Sequence, residues 1–305
     1  MAQRSNGYIL GFATAVCVFC SVFVSGAALS LKEQQVANAE LDLKKNVISV
    51  SGLKQPKVVT VKGNPHAHLE QTTLTRILTG KNSSTASTTE EPLIITADDV
   101  EKYFSDSPDR VELGYVELKT GTITESDVAE QYLKANKGKC EELSAEANIA
   151  KISCLPKYRP VFTVYKNNVV DRIILNVEGK GLWSTLYGFL ALSKDGTIIN
   201  GLTFYKHGET PGLGGEVDNP KWKKLWVGEY IPYNPPKDNK GPQPNIDVVK
   251  GSAPSGVSTD GKVDGLSGAT LTANGVEALL NFWLGDDGYG PYVKSLSEVA
   301  NNVSK

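Results

Sequence analysis

From Tyr8 to Leu31 the chain is uncharged and mostly apolar. A helix over that run measures about 36 Å, enough to cross a hydrocarbon core of about 30 Å. Arg4 precedes the run and Lys32 follows it. Ser25-Gly26-Ala27-Ala28 also offers small residues at a signal-peptide cut, but the apolar part of a signal peptide is usually about 7–15 residues. The run is therefore read as a retained single-pass anchor over residues 8–31. Arg4 is balanced by Lys44 and Lys45 beyond the far end, so charge counting leaves its orientation open. Leu31 to Val47 continues as a polar helix, with Val36, Ala39, Leu43 and Val47 on one narrow apolar stripe at spacings of three and four.

The pattern then changes. Val58–Val61 reads as a short strand. His66 to Glu91 is rich in Thr, Ser and Asn, centred on Ser83–Thr89, and reads as an inserted loop or disordered segment. Asp98–Phe104 and Thr124–Ala135 have helical character. Val161–Tyr165 and Val169–Val177 are β-branched runs separated by Lys166-Asn167-Asn168, which predicts a hairpin. Leu186–Leu192 and Thr197–Phe204 predict another, around Asp195-Gly196. Pro232–Gly261 is rich in Pro, Gly, Asn and Asp and reads as a long loop. Val276, Leu279, Leu280, Trp283 and Leu284 then fall on one helical face, with Gly285 as a stop.

This predicts an α+β fold: a single domain of mixed strands and helices on one N-terminal transmembrane helix. The expected divisions are residues 1–7, an N-terminal segment; 8–31, the anchor; 32–160, a membrane-proximal helix and an N-terminal part holding the Ser/Thr-rich insertion; and 161–305, the domain that holds the candidate site.

Composition narrows the function more by exclusion. The 305 residues carry 32 basic and 34 acidic side chains, a formal net charge of −2 that gives no support to nucleic-acid binding. No phosphate-cradling GKS/T loop or dinucleotide GxGxxG is present. Of the four cysteines, Cys17 and Cys20 lie in the anchor and read as small apolar residues. Cys140 and Cys154 pair if the domain faces an oxidising compartment and remain thiols otherwise. No spacing suggests a metal site.

The chemistry concentrates in Asp264-Gly265-Leu266-Ser267-Gly268-Ala269-Thr270, just before the amphipathic helix. Small residues let backbone approach a bulky ligand, and a helix start offers free N–H groups and a positive dipole end to a phosphate. By spacing alone the run reads as a helix cap. No His or Lys stands beside Thr270 as a base, so no catalytic residue is assigned. A second stretch, Glu209-Thr210-Pro211-Gly212-Leu213-Gly214-Gly215, is by itself a Pro-Gly turn. Trp183, in Gly179-Lys180-Gly181-Leu182-Trp183, is by itself a core tryptophan. His207 reads as a surface or supporting group rather than a metal ligand.

Together these segments resemble the FMN-binding domain family, whose members include the C subunits of sodium-translocating NADH:quinone reductases and the G subunits of Rnf electron-transport complexes. The Ser267-Gly268-Ala269-Thr270 run is similar to the family's covalent attachment motif, the Glu209–Gly214 stretch to its E-T-P-G-L-G loop, and Gly179–Trp183 to a segment of the quinone-reductase branch. Leu41–Ile48 and Asn281–Gly285 also match that branch. The resemblance implies FMN bound through its phosphate to Thr270. It places Asp264, Leu266, Ser267, Gly268, Ala269, Glu209, Thr210, Pro211, Gly212, Leu213, Gly214 and Trp183 around the cofactor. Trp183 and Leu213 are expected to cover the ring, Thr210 to hydrogen-bond it, Glu209 to orient backbone amides, and Thr272 to be a neighbour or cap. It further implies a bacterial inner-membrane protein with residues 1–7 cytoplasmic and the FMN-binding domain, 161–305, periplasmic. That protein would be one of six subunits of a sodium pump, matured by a flavin transferase, relaying single electrons from NADH toward quinone without binding NADH itself. The alternatives are the Rnf-type subunit and a membrane-anchored module with no cofactor.

Overall fold

The computed structural model describes residues 6–54, 58–61, 87–90, 95–235, 242–253 and 261–303. It divides into two units, residues 1–44 and 45–305. In the first, helix α1 (Asn6–Ser51) begins and runs unbroken through Ser25-Gly26-Ala27-Ala28. Its apolar side chains are exposed, Phe19 and Leu29 among them, and it is the one helix among the described residues long and apolar enough to cross a membrane. Cys17 and Cys20 are free thiols on it.

The second unit begins with the last turns of α1. Strands β1 (Val58–Val61) and β2 (Ser87–Glu90) pair antiparallel. β2 corrects part of the expected loop: Thr is β-branched and suits a strand once a partner takes its backbone groups. The centre of that stretch, 66–86, lies outside the described residues. Helix α2 (Ala97–Tyr103) starts at a capping box in which Thr96 and Asp99 exchange side-chain-to-backbone bonds. β3 (Arg110–Glu117), β4 (Thr122–Thr124) and α3 (Ser126–Ala135) follow, so the predicted helix begins two residues late because Thr124 belongs to a strand. The hairpins β5 (Tyr158–Lys166)–β6 (Val169–Lys180) and β7 (Thr185–Ser193)–β8 (Ile198–Lys206) form as expected. Asn167 and Asn168 turn the first at positive φ, 51° and 62°, and Gly196 turns the second at 73°. A 3₁₀ turn (Gly214–Asp218), α4 (Pro220–Leu225) and β9 (Glu229–Tyr230) come next. Seven strands form one antiparallel sheet in the order β4-β3-β5-β6-β7-β8-β9. β3 and β4, from before residue 161, belong to the same sheet as the strands after it.

The stretch expected as a long loop is a correction. Its described part holds β10 (Tyr233–Asn234), β11 (Gln243–Pro244) and β12 (Asp247–Val249), and β12 pairs parallel with β13 (Lys262–Asp264). These strands are too short for periodicity to show. Asn281 and Glu277 hold β12: Asn281 bonds the N–H and C=O of Ile246 just before it, and Glu277 accepts the Val248 N–H within it. β13 delivers the chain to α5 (Thr270–Leu284), and α6 (Gly290–Val303) closes the domain.

One face of the sheet buries Ile173, Leu175 and Val177 under Val276, Leu279, Leu280 and Trp283 of α5. The approach is close: a Cβ at Gly179 would lie 2.8 Å from Leu279 Cβ, and one at Gly275 only 2.4 Å from the Lys180 carbonyl. The buried Trp283 indole donates to the Glu178 carbonyl at 2.7 Å. The other face carries Phe162, Ile174 and Phe189 and receives the end of α1. There Arg172 donates to the Val50 carbonyl, and Val47 and Ile48 are fully buried.

Candidate functional site

The end of β6, the loop after β8 and the start of α5 meet at one edge of the domain, and Glu209 joins them. Its buried carboxylate accepts the N–H groups of Leu182 (3.2 Å), Trp183 (2.9 Å) and Ser184 (3.1 Å) and the Thr272 hydroxyl (2.7 Å). Burial alone would raise the Glu209 pKa; the bonds from Thr272 and the three amides outweigh it and hold the pKa below its ordinary value. His207 accepts the Glu209 N–H at Nδ1 and faces Asp218 through Nε2 at 2.7 Å, the supporting place expected of it. Ser184 Oγ accepts the Gly208 N–H at 2.6 Å.

Thr270 is the first residue of α5 and is exposed. Among the described residues its hydroxyl has no hydrogen-bond partner. The N-cap, Ala269, offers no side-chain bond, and no acidic residue occupies the first turn. The helix start therefore keeps free N–H donors at its positive end. Thr272, weighed as a possible cap, is instead fully buried on Glu209. Gly268 holds φ at +71°, and a Cβ there would lie 3.1 Å from Leu213 Cδ2, so Leu213 stands directly over the run before Thr270. Gly212 holds φ at +75° with open space around it. Thr210, Pro211 and Ser267 are exposed, and the Thr210 carbonyl receives the Leu213 and Gly215 N–H groups.

The predicted residues come together, but not all face outward. Leu266 and Ala269 are buried in the core, 6% and 5% exposed. Asp264 uses its carboxylate on the Ala253 N–H and its carbonyl on the Trp222 indole. With Glu209, these residues have their side chains engaged inside the protein and leave only backbone for a ligand. Trp183 departs the other way. It is 66% exposed, not core, because Gly181 N–H to Ser184 C=O closes a tight turn that projects it from the sheet edge. Leu182, Leu213 and Leu271 are exposed as well. Leu182 and Leu271 were not assigned to the site from sequence; their position beside Trp183 and Thr270 is the signal that finds them.

An uncapped helix start with a free hydroxyl suits a phosphate. Glycines at 212 and 268 and exposed apolar side chains around them suit a flat ring, whereas Gly214 is buried against Glu209 and Thr272. The residues present therefore fit a flavin mononucleotide. Cys140 and Cys154 form a disulfide. The loop it closes supports the site from below, since the Ala150 carbonyl accepts the Lys180 N–H at 2.8 Å.

Comparison with known proteins agrees with this geometry. Residues 181–285 match the FMN-binding domain family. The chain is 37% identical over 295 residues to the C subunit of the Na(+)-translocating NADH-quinone reductase of Pseudomonas aeruginosa, covering 96% of this chain and 97% of that one. It is 34% identical to the corresponding C subunit of Yersinia pestis, covering 97% and 95%. Among solved structures, that of Shewanella oneidensis NqrC superposes with a TM-score of 0.55 at 28% identity, covering 67% of this chain and 90% of that one.

Proposed function

The chain belongs to the family of C subunits of the Na(+)-translocating NADH-quinone reductases, and on that premise we propose that it carries one FMN esterified through its phosphate to the Thr270 hydroxyl. The observation that carries this reading is Thr270 itself: exposed, without a hydrogen-bond partner among the described residues, and first in an uncapped helix. N–H groups of the first turn of α5 hold the phosphate oxygens. Gly212 and Gly268 keep side chains out of the ring's way, while the expected place of Gly214 beside the ring passes to its backbone, because its open side faces Glu209 and Thr272. Trp183 and Leu213 offer it apolar surface, with Leu182 and Leu271 at the rim, and Thr210 is free to donate a hydrogen bond.

When bound, FMN supplies one-electron transfer between the NADH side and the quinone side of the complex. The protein's part is to place the cofactor and set its surroundings. Thr270 has no hydrogen-bonded base to activate it, so attachment falls to a separate flavin transferase. The NADH site belongs to another of the six subunits. Helix α1 anchors the chain in the bacterial inner membrane as a single pass. The Cys140–Cys154 disulfide supports a periplasmic position for the domain, because such bonds persist in oxidising compartments. The names of the relatives favour this reading over an Rnf-type subunit, and the FMN-binding match favours it over an anchored module without cofactor. In-gel flavin fluorescence of the denatured chain tests it: the native chain should fluoresce and Thr270→Ala should not.

A further inference from the structure

We infer that Glu209 is a positioning residue that assembles the cradle around Thr270 before any cofactor arrives. What it positions rests on the FMN reading above; the linkage itself does not. Glu209 sits on the loop after β8, and its carboxylate bonds two other segments. Oε1 accepts the Trp183 and Ser184 N–H groups, and Oε2 accepts the Leu182 N–H and the Thr272 hydroxyl. Thr272 lies in the same first turn as Thr270. One buried side chain thus fixes the 182–184 turn and the attachment helix to the 209–214 loop.

The surroundings are shaped to admit it. A Cβ at Gly181 would lie 2.7 Å from Glu209 Oε1, and one at Gly214 would lie 2.8 Å from Oε2 and 2.5 Å from Thr272 Oγ1. Glycine at these two positions leaves the carboxylate its room. The linkage also needs both oxygens as acceptors. A glutamine has a single acceptor oxygen, which serves either the Trp183–Ser184 pair or the Leu182–Thr272 pair. The Thr272 hydroxyl can turn to accept from the amide, but the Leu182 N–H is then stranded. The charge has a further effect: a fixed buried anion beside the attachment turn opposes electron uptake by a flavin held there.

The test uses the full-length chain in detergent as wild type, Glu209→Gln, Thr272→Val and Thr272→Ser. Amide exchange is measured on chains made without flavin transferase. The rate of covalent loading is measured with the transferase and its flavin donor, and the midpoint potential on the loaded protein. Glu209→Gln should speed exchange at 182–184 and slow loading by about tenfold, the scale of one lost charged hydrogen bond, while exchange across β5–β8 stays as in wild type. Once loaded, it should show a more positive potential. Thr272→Val should change exchange and loading in the same direction, and Thr272→Ser should restore both. Wild-type exchange and loading in Glu209→Gln, or equal loading of the Val and Ser variants, would overturn the linkage. An unchanged potential would overturn the effect of its charge. If Glu209→Gln does not fold, the Val and Ser pair decides alone. A wild-type chain that takes no FMN would overturn the FMN reading, and the exchange comparison would still decide the linkage.

Discussion

Glu209 and Thr272 stand sixty-three positions apart in the chain and share a 2.7 Å hydrogen bond, with both side chains buried. The pair makes a prediction about pH. The Glu209 pKa is held below its ordinary value of 4.5 by its donors. A depressed carboxylate contributes stability that is present above the unfolded pKa and lost as pH falls through the folded one. The melting temperature of the wild type should therefore exceed that of Glu209→Gln near neutral pH, and the gap should close as pH falls below about 4.5. Melts of the two proteins followed by circular dichroism from about pH 6 to about pH 3 measure it. A gap that widens on acidification contradicts the assignment.

Gly268 makes a second prediction. At φ +71° an added Cβ is strained, and it would also press on Leu213 Cδ2. Gly268→Ala should cost about 1–2 kcal/mol in chemical denaturation and should also impair flavin loading, because Leu213 must move. Gly212→Ala shares the strain but meets open space, so its loading should fall less.

Two tryptophans contrast in burial and in what their rings touch. Trp283 is fully buried, with its indole on the Glu178 carbonyl, whereas Trp183 is 66% exposed. Trp283→Ala should destabilise by about 3–5 kcal/mol. Trp183→Ala should stay within about 0.5 kcal/mol of wild type while altering the absorption and visible circular dichroism of the bound flavin. A large stability loss at Trp183, with an unchanged flavin spectrum, would remove it from the site.

The disulfide predicts a stability loss of a different origin. Cys140 and Cys154 close a loop at a sequence separation of 14. Replacing both with serine should cost about 3 kcal/mol, chiefly by freeing the unfolded chain. Denaturant titration of the double variant measures the cost, and amide exchange at Lys180 reports whether the support through Ala150 loosens with it.

The parts of the fold that local chemistry dictates were legible in the sequence. The β5–β6 and β7–β8 hairpins combine β-branched runs with Asn-Asn and Asp-Gly turns, and the apolar face of α5 repeats at helical spacing. The short strands β10 to β13 were not, because two or three residues carry no period and β12 is held by Asn281 and Glu277 on α5, far along the chain. Thr270 stands out in the sequence through its motif. The buried roles of Asp264, Leu266 and Ala269 and the exposure of Trp183 depend on which side of the domain each backbone turn faces, which spacing does not encode. The role of Thr272 depends on a partner in a distant loop, so it read equally well as a cap.

The central claim is the tether at Thr270, and mass spectrometry of the native chain tests it most directly. The peptide holding Thr270 should be heavier than its sequence by one FMN less water, and the increment should vanish in Thr270→Ala. A native peptide of unmodified mass, or an increment that survives Thr270→Ala, would contradict the account.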